Sequence, residues 1–239
     1  MDAPRLSEWF SRGAFSAIMR TVVGSMVGTA PRIVEAFARL MHPNVRVVAQ
    51  TMPMLPKGPE RRARERELGR ACAAEALRQL GATDVFVGEN DDRSPAWPRA
   101  FVGSITHTAA FVAVAAARAE DVRGLGVDAE ETMAAETIAE VAREVATDDE
   151  RARLEREGPA RFPALFSALF SAKESLFKAV YPLERVWFDF EDAALAHVDG
   201  ERLDLVLTRD VGAQPRGRSF RARWTVLDDH VLTAVEVGS

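Results

Sequence analysis

Apolar residues recur every four positions in one stretch of the chain, which is typical of an amphipathic helix. Leu68, Cys72, Ala76 and Leu80 have this spacing, so they share one face of a helix predicted over residues 59–80. A proline in the first turn and a glycine after the last residue fit the two ends of this helix. The outer face is rich in arginine and is therefore predicted to be exposed.

A second helix is predicted over residues 162–181, ending before Pro182. Large apolar residues and alanines cover most of its circumference, which is the pattern of a buried helix. Four polar residues form one stripe along it, at spacings of four, three and four: Ser167, Ser171, Glu174 and Lys178. Because burying an unpaired carboxylate is costly, we expect this stripe to face other polar groups. A surface ion pair between Glu174 and Lys178 would explain the same spacing.

Short apolar runs predict strands in both halves of the chain. The predicted strands are residues 85–87, 101–106, 111–116, 122–130, 186–190, 203–207, 220–227 and 231–237. Three further segments are predicted as a helix (134–145), a proline-rich connector (53–59) and an exposed turn (88–95). Because helices and strands occur throughout, without a repeat or a low-complexity linker, we predict an α+β fold of two closely packed subdomains.

The predicted boundaries divide the chain into an atypical helical segment (1–44), an N-terminal subdomain (45–119) and a C-terminal subdomain (120–239). In the first segment, one face of a helix is predicted from four apolar residues: Phe15, Met19, Val22 and Met26. A helix that packs on the core is the plain interpretation of this segment. A helix that binds a membrane surface or a partner is the alternative.

Composition narrows the class of protein. With 239 residues, 47% hydrophobic and 28% charged, the chain can bury a core and is not a disordered tail. A net charge of -5 argues against a surface that coats nucleic acid. The single cysteine, Cys72, excludes an intrachain disulfide and a thiolate zinc cluster, and it fits a reducing cytoplasm. No secretory signal or membrane span is predicted, so we expect a cytoplasmic protein.

Candidate chemistry begins in residues 124–130, where the sequence is Gly-Leu-Gly-Val-Asp-Ala-Glu. The period of two in a strand puts Asp128 and Glu130 on the same face as Gly124 and Gly126. Two residues without side chains would let a bulky polar ligand approach the backbone closely. A solvated acidic pair at the end of a strand is the alternative interpretation.

Glu174 adds a third carboxylate to Asp128 and Glu130, and no cysteine or histidine cluster accompanies them. Such a set of oxygen ligands suits magnesium, which shares phosphate oxygens, so we expect a di- or triphosphate-like ligand. The arginine-rich helix and His107 would supply positive charge for it, although a histidine at a strand end is often only a structural hydrogen-bonding group. Lys173 lies among large apolar residues, so it must either extend to solvent or meet an anion.

Five segments resemble the Sfp-type 4'-phosphopantetheinyl transferases, especially the branch similar to enterobactin synthetase component D. The resemblance covers roughly residues 60–237 and is carried by residues 95–98 (Pro-Ala-Trp-Pro), 103–107 (Gly-Ser-Ile-Thr-His), 126–130, 170–179 and 187–193. The most specific parts are Gly-x-Asp-x-Glu within residues 126–130 and Phe-Ser-x-Lys-Glu-Ser-x-x-Lys within residues 170–178.

The resemblance implies transfer of the 4'-phosphopantetheine arm of coenzyme A to a serine of an apo acyl or peptidyl carrier protein, with release of adenosine 3',5'-bisphosphate. It also implies a monomer whose two similar-sized subdomains are related by a pseudo-twofold axis, with the active site in the cleft between them. The carrier would serve a polyketide, nonribosomal peptide or siderophore pathway.

The resemblance further implies roles for individual residues. Asp128, Glu130 and Glu174 would hold Mg²⁺, or Mn²⁺, on the pyrophosphate. Six residues would bind coenzyme A: Arg62, Arg70, Arg93, Thr106, His107 and Lys173. Lys178 would face the leaving phosphate as a proton donor. The base that takes the serine proton would be Glu174, with Glu130 or a metal-bound water as alternatives.

Two other functions remain open at this point. One is a different magnesium-dependent phosphoryl or nucleotidyl transferase, which would use the same carboxylates without coenzyme A. The other is a non-catalytic module that binds coenzyme A or carrier proteins and has lost the chemistry. Incubation with magnesium, coenzyme A and an apo carrier protein, followed by the intact mass of the carrier, separates all three.

Overall fold

A computed structural model of the chain describes residues 29–238. Its first elements are helix α1 (Thr29–Arg39), strand β1 (Arg46–Thr51) and helix α2 (Pro59–Gln79). The last of these confirms the predicted helix, and its arginine-rich side is exposed. The predicted helical face of Phe15, Met19, Val22 and Met26 lies outside the described residues. No helix within the described range is long and apolar enough to cross a bilayer.

The first sheet is antiparallel, with the strand order β1-β5-β4. Strands β4 (Phe101–His107) and β5 (Phe111–Arg118) confirm two of the predicted strands. Alternate side chains of β5 face opposite ways: Val114 and Ala116 pack with α2, whereas Ala113 and Ala115 pack with α1. Because both faces of β5 are covered, its sequence is a continuous apolar run rather than an alternating one.

The second sheet has five antiparallel strands in the order β6-β10-β9-β8-β7. These strands are β6 (Gly124–Glu131), β7 (Ala193–Asp199), β8 (Arg202–Leu207), β9 (Ser219–Leu227) and β10 (His230–Val237). The helices of this half are α3 (Ala135–Val145), α4 (Asp148–Glu155) and α5 (Phe162–Glu184). Helix α5 is buried along most of its length and packs on the sheet with side chains such as Phe220 and Val235. The fold is therefore mixed α/β.

The glycines of β6 explain how closely α5 approaches the sheet. A Cβ atom at Gly126 would collide with the carbonyl oxygen of Ser175, and one at Gly124 would collide with that of Ala179. Both collisions involve the backbone of α5, which cannot move aside as a flexible side chain can. The prediction that these glycines admit a polar ligand was therefore wrong, because they admit the helix itself.

The two sheets meet where β4 lies beside β6, and each of these strands is at the edge of its sheet. The amide of Val127 donates to Ser104 Oγ at 3.0 Å, and the amide of Ala129 donates to Thr106 Oγ1 at 3.0 Å. Side-chain hydroxyls of β4 thus satisfy backbone groups of β6 that a neighbouring strand would otherwise satisfy. This joint brings the end of β4 next to Asp128.

Several predicted elements differ from the structure. Residues 85–87 and 186–190 form no strand, and the predicted turn contains a small ribbon of β2 (Gly88–Glu89) and β3 (Pro95–Ala96). The alternating residues 186–190 instead bury Phe188 and Phe190 against the helical core. Helix α5 continues through Pro182 and ends at Glu184, and the next residue, Arg185, has a φ of 55°. Proline is tolerated there because the hydrogen bond that it removes lies in the last turn. Strands β1 and β7 and helix α4 were not predicted.

Candidate active site

Asp128 of β6 is the centre of a buried polar group. Its side chain accepts hydrogen bonds at both carboxylate oxygens and is almost fully enclosed. Thr106 Oγ1 donates to Oδ1 at 3.1 Å, and Ser171 Oγ of α5 donates to Oδ2 at 2.8 Å. Lys178 Nζ, also on α5, lies 2.6 Å from Oδ1. The β6 face that the sequence predicted and the polar stripe of α5 therefore meet at this carboxylate.

Lys178 remains charged in this setting. Burial lowers its pKa, but Asp128, Glu174 and Glu130 outweigh that effect and raise the pKa above its ordinary value. The ammonium also donates to the carbonyl oxygen of Val127 at 3.3 Å. Lys178 and Glu174 therefore do not form the simple surface ion pair that their spacing also allowed.

Glu174 and Glu130 are the other two carboxyl groups near Lys178. Burial raises the pKa of Glu174 to about 8, with Lys178 opposing this shift and Asp128 adding to it. Burial also raises the pKa of Glu130 well above its usual value, and the neighbouring Asp128 and Glu174 raise it further. The site thus holds more carboxyl groups than its ammonium can neutralise, so it favours an additional cation.

The donor set is compatible with a hard divalent cation. Glu174 Oε1 is buried, and within the described residues it has no hydrogen-bond partner. No three His, Cys, Asp or Glu side chains in residues 29–238 are arranged to hold a metal by themselves. Magnesium requires no such cage, because it keeps several waters and combines a few carboxylates with substrate phosphates. The carboxylate oxygens of Asp128, Glu130 and Glu174 suit that mode of binding.

The other residues predicted to bind the nucleotide surround this group at different distances from it. Thr106 contacts Asp128 directly, and His107 follows it at the end of β4. The half-exposed imidazole of His107 places Nδ1 3.7 Å from Glu65 Oε1 on α2. Arg61 Nε donates to the same carboxylate oxygen at 2.8 Å. The structure therefore brings α2 to the end of β4 next to Asp128.

The three arginines predicted to bind phosphate are exposed. Arg62 and Arg70 lie on α2, and Arg70 Nη2 is 3.9 Å from Glu89 Oε2. Arg93 lies in the turn of the β2–β3 ribbon with a φ of 66°. The structure does not bring these guanidinium groups into the hydrogen-bonded group around Asp128.

Lys173 occupies a different environment from the predicted one. Its side chain is 2% exposed, and Nζ lies 2.9 Å from Glu150 Oε1. The same ammonium donates to the carbonyl oxygens of Val145 at 2.9 Å and Phe190 at 3.0 Å. All three ammonium hydrogens have acceptors inside the protein. Contrary to the predicted role in coenzyme A binding, Lys173 has no hydrogen left for a phosphate in this structure.

Three hydroxyl side chains lie beneath Asp128. Ser171 belongs to the polar stripe predicted from the sequence, whereas Ser175 and Thr233 were not predicted to belong to the site. Thr233 of β10 contacts both serines and lies opposite Asp128 in the strand register. A threonine within an otherwise apolar strand segment, Val-Leu-Thr-Ala-Val, was the available signal.

Comparisons with known proteins agree with this arrangement. Residues 50–117 match the 4'-phosphopantetheinyl transferase N-terminal domain, and residues 124–235 match the 4'-phosphopantetheinyl transferase superfamily. The chain is 34% identical to 4'-phosphopantetheinyl transferase Npt of Nocardia iowensis over 76% of this chain and 85% of that protein. It is 30% identical to 4'-phosphopantetheinyl transferase PptT of Mycobacterium tuberculosis over 81% of this chain and 87% of that protein.

A third relative has a different name. Enterobactin synthase component D of Salmonella typhimurium is 32% identical over 73% of this chain and 72% of that protein. The two family matches cover Asp128 and the residues that hydrogen-bond to its carboxylate. The chain belongs to the 4'-phosphopantetheinyl transferase superfamily.

Proposed function

We propose that this protein transfers the 4'-phosphopantetheine group of coenzyme A to a serine of an apo acyl or peptidyl carrier protein in a magnesium-dependent reaction. The second product is adenosine 3',5'-bisphosphate. The observation that carries the proposal is the largely enclosed group of Asp128, Glu174 and Lys178. It has more carboxyl groups than ammonium groups, and one carboxylate oxygen has no hydrogen-bond partner among residues 29–238. The names of the Nocardia, Mycobacterium and Salmonella relatives support the same activity.

The active site is proposed to lie in a cleft between two subdomains, residues 45–119 and 120–239, related by a pseudo-twofold axis. In support, each of these ranges contains an antiparallel sheet of three or more strands with a long helix packed on it, and these two sheets meet at Asp128. We propose that the protein acts as a monomer in the cytoplasm. Its one cysteine is a buried free thiol, which suits a reducing compartment.

Asp128, Glu130 and Glu174 are proposed to hold Mg²⁺, with Mn²⁺ as a substitute. When bound, the metal supplies positive charge that stabilises charge developing on the pyrophosphate. The unpartnered Glu174 Oε1 and the acceptor oxygens of Asp128 supply the hard donors that this role needs.

Lys178 is proposed to donate to the leaving phosphate. Its ammonium stays protonated because the surrounding carboxyl groups raise its pKa, so a proton is available when the phosphate departs. Its position one helical turn after Glu174 places both groups on the same side of α5. Acid and base can therefore act on one substrate.

Glu174 is proposed to accept the proton of the attacking serine, with Glu130 as the alternative base. Burial raises the pKa of Glu174 to about 8, and a carboxylate with a raised pKa is a stronger base than an exposed one. Lys178 opposes this shift in pKa, so the ammonium that assists the leaving group also favours the ionised form of the base.

The phosphates of coenzyme A are proposed to contact Thr106 and His107 at the end of β4, together with Arg62, Arg70 and Arg93. The exposed guanidinium groups are accessible to phosphate oxygens, with which they can form charge-assisted hydrogen bonds. Lys173 is not included, because its ammonium is bound by Glu150 and two carbonyl oxygens.

The test is the intact mass of apo acyl and peptidyl carrier proteins after incubation with the enzyme, Mg²⁺ and coenzyme A. The expected result is the gain of one phosphopantetheine on a serine, which is lost when coenzyme A is omitted or a chelator is added. Binding of coenzyme A without any mass gain would favour a non-catalytic module. Transfer from a different phosphate donor but not from coenzyme A would favour another phosphoryl or nucleotidyl transferase.

A further inference from the structure

Three buried hydroxyl groups form a continuous chain beneath Asp128. Ser171 Oγ lies 2.8 Å from Asp128 Oδ2 and 2.8 Å from Thr233 Oγ1. Thr233 Oγ1 lies 2.7 Å from Ser175 Oγ. All three residues are 0% exposed, so water does not compete for these groups. The chain joins β10 and two turns of α5 to the carboxylate of β6.

Proton counting gives this chain one direction. A hydroxyl carries a single hydrogen, and an ionised carboxylate can only accept, so Ser171 donates to Asp128. Thr233 must then donate to Ser171. Because the hydrogen of Thr233 is used there, Ser175 must donate to Thr233. Each hydroxyl therefore points its positive end toward Asp128, and the bonds strengthen one another by polarisation.

We propose that Thr233 is a positioning residue for the metal site: its side chain orients Asp128 through the hydroxyl of Ser171. This inference rests on the proposed metal-binding role of Asp128. Groups that bond to a metal-ligating carboxylate fix its orientation, and their loss commonly lowers metal affinity 10- to 100-fold. Thr233 does not touch Asp128, so we expect about a tenfold loss when its hydroxyl is removed.

Packing alone does not require a hydroxyl at this position. The other buried side chains along β10 are apolar apart from His230 at its start, and valine has nearly the same shape as threonine. A buried hydroxyl is favourable only when it is hydrogen-bonded. The partners of Thr233 are Ser171, which belongs to the polar stripe of α5, and Ser175, which lies one helical turn later. The hydroxyl at position 233 is therefore explained by its hydrogen bonds toward the Asp128 carboxylate and not by packing of the core.

The test measures Mn²⁺ binding by the loss of the free-ion electron paramagnetic resonance signal, with coenzyme A present and absent. Thr233→Val is expected to weaken Mn²⁺ binding about tenfold. Thr233→Ser, which restores the donor, is expected to return it to within about twofold of the original. Ser171→Ala should lose more Mn²⁺ affinity than Thr233→Val, because Ser171 contacts Asp128 directly. Ser175→Ala should lose less, because Ser175 is the hydroxyl group farthest from Asp128 in this series of hydrogen bonds. Thr225→Val on β9, whose hydroxyl lies 3.5 Å from Glu201 Oε1, is the matched control.

Unchanged Mn²⁺ affinity in folded Thr233→Val, or failure of Thr233→Ser to restore it, overturns the proposal. If Thr233→Val does not fold by circular dichroism, Ser171→Ala and Ser175→Ala decide, and affinities equal to the original in both overturn it. Absence of Mn²⁺ binding by the unsubstituted protein overturns both this proposal and the proposed metal site. If all variants bind Mn²⁺ with the same affinity and still modify the carrier protein, only the positioning role is overturned.

Discussion

Helix α5 carries a buried lysine, Lys173, and a partly buried one, Lys178, five residues apart, and each pairs with a carboxylate from another element. Around Lys173, every polar group is satisfied: Glu150 also accepts from the amides of Leu195 at 2.7 Å and Thr147 at 2.8 Å. Around Lys178, the carboxyl groups outnumber the ammonium, and Glu174 Oε1 has no hydrogen-bond partner in the part of the chain that the structure describes. An ion pair whose hydrogen bonds are all made stabilises the fold, whereas one with unused acceptors can still bind a ligand.

The saturated pair also has a clear structural task. Lys173 and Glu150 connect α5 with the end of α3, the start of α4 and strand β7. A buried pair of this kind stabilises only because all its hydrogen bonds are made, since removing two charges from water is costly. Nothing in its surroundings remains for a substrate to satisfy.

The largest expected effect comes from removing carboxylates of the unsaturated site. Asp128→Ala or Glu174→Ala should lower turnover about 10³-fold, because each removes a proposed ligand of the metal that stabilises the pyrophosphate. The fold should persist, since the remaining carboxyl groups near Lys178 can take over its charge. Carrier modification followed by mass spectrometry checks turnover, and near-normal turnover in either folded variant would remove that residue from the mechanism.

Breaking the saturated pair should instead reduce stability. Lys173→Met or Glu150→Gln is expected to lower the free energy of unfolding by about 3 kcal/mol, because each leaves buried polar groups without partners. Coenzyme A affinity of the folded protein should remain unchanged, as measured by calorimetry. A large loss of affinity in Lys173→Met but not in Glu150→Gln would return Lys173 to the coenzyme A site.

The two lysines should also differ in their tolerance of arginine. If Lys178 donates a proton, Lys178→Arg should lose nearly as much turnover as Lys178→Ala, about 10²-fold, while coenzyme A still binds. Guanidinium keeps the charge but does not release a proton readily. An arginine variant with turnover close to that of the original protein would show that charge alone suffices at this position.

A smaller effect is expected on the pH dependence of stability. Burial raises the pKa of Glu174 to about 8 from an ordinary value of 4.5, so the folded protein holds a proton that the unfolded chain loses. Stability from this group is therefore complete below about pH 4.5 and falls as the pH rises toward 8. Glu174→Gln cannot ionise, so it should be more stable than the original protein at pH 8 by at least about 2 kcal/mol, and this advantage should vanish near pH 4.5.

Urea unfolding at several pH values with a chelator present measures this difference. Glu67→Gln, at an exposed position of α2, is the matched control. A stability difference for Glu174→Gln that does not change with pH would contradict the proposed protonation of the metal-free site.

Local periodicity predicted the parts of the site that repeat along one element. The alternation in β6 placed Asp128 and Glu130 on one face, and the stripe on α5 placed Glu174 beside Lys178. Both faces are polar and belong to otherwise apolar elements, so they were expected to face each other. Short-range patterns were therefore enough to find the carboxylates and the ammonium.

Long-range partners were not predictable in the same way. The partner of Lys173 comes from α4, a short charged helix without an apolar stripe, so neither the helix nor its Glu150 was predicted. Thr233 lies more than fifty residues from both serines that it contacts, and no local pattern encodes that pairing. The glycines of β6 were identified as points of close approach, but the sequence could not specify that α5 approaches them.

The joint between β4 and β6 has a mechanical consequence. Thr106 Oγ1 accepts from the amide of Ala129 and donates to Asp128, so a single hydroxyl both fastens the two sheets and holds the central carboxylate. The two sheets cannot move apart there without breaking a hydrogen bond to Asp128. The chemistry of the site is therefore sensitive to any relative motion of the two sheets. If the part of the chain that carries either sheet were produced alone, it would expose the edge of β4 or β6. Exposed strand edges tend to pair with other chains.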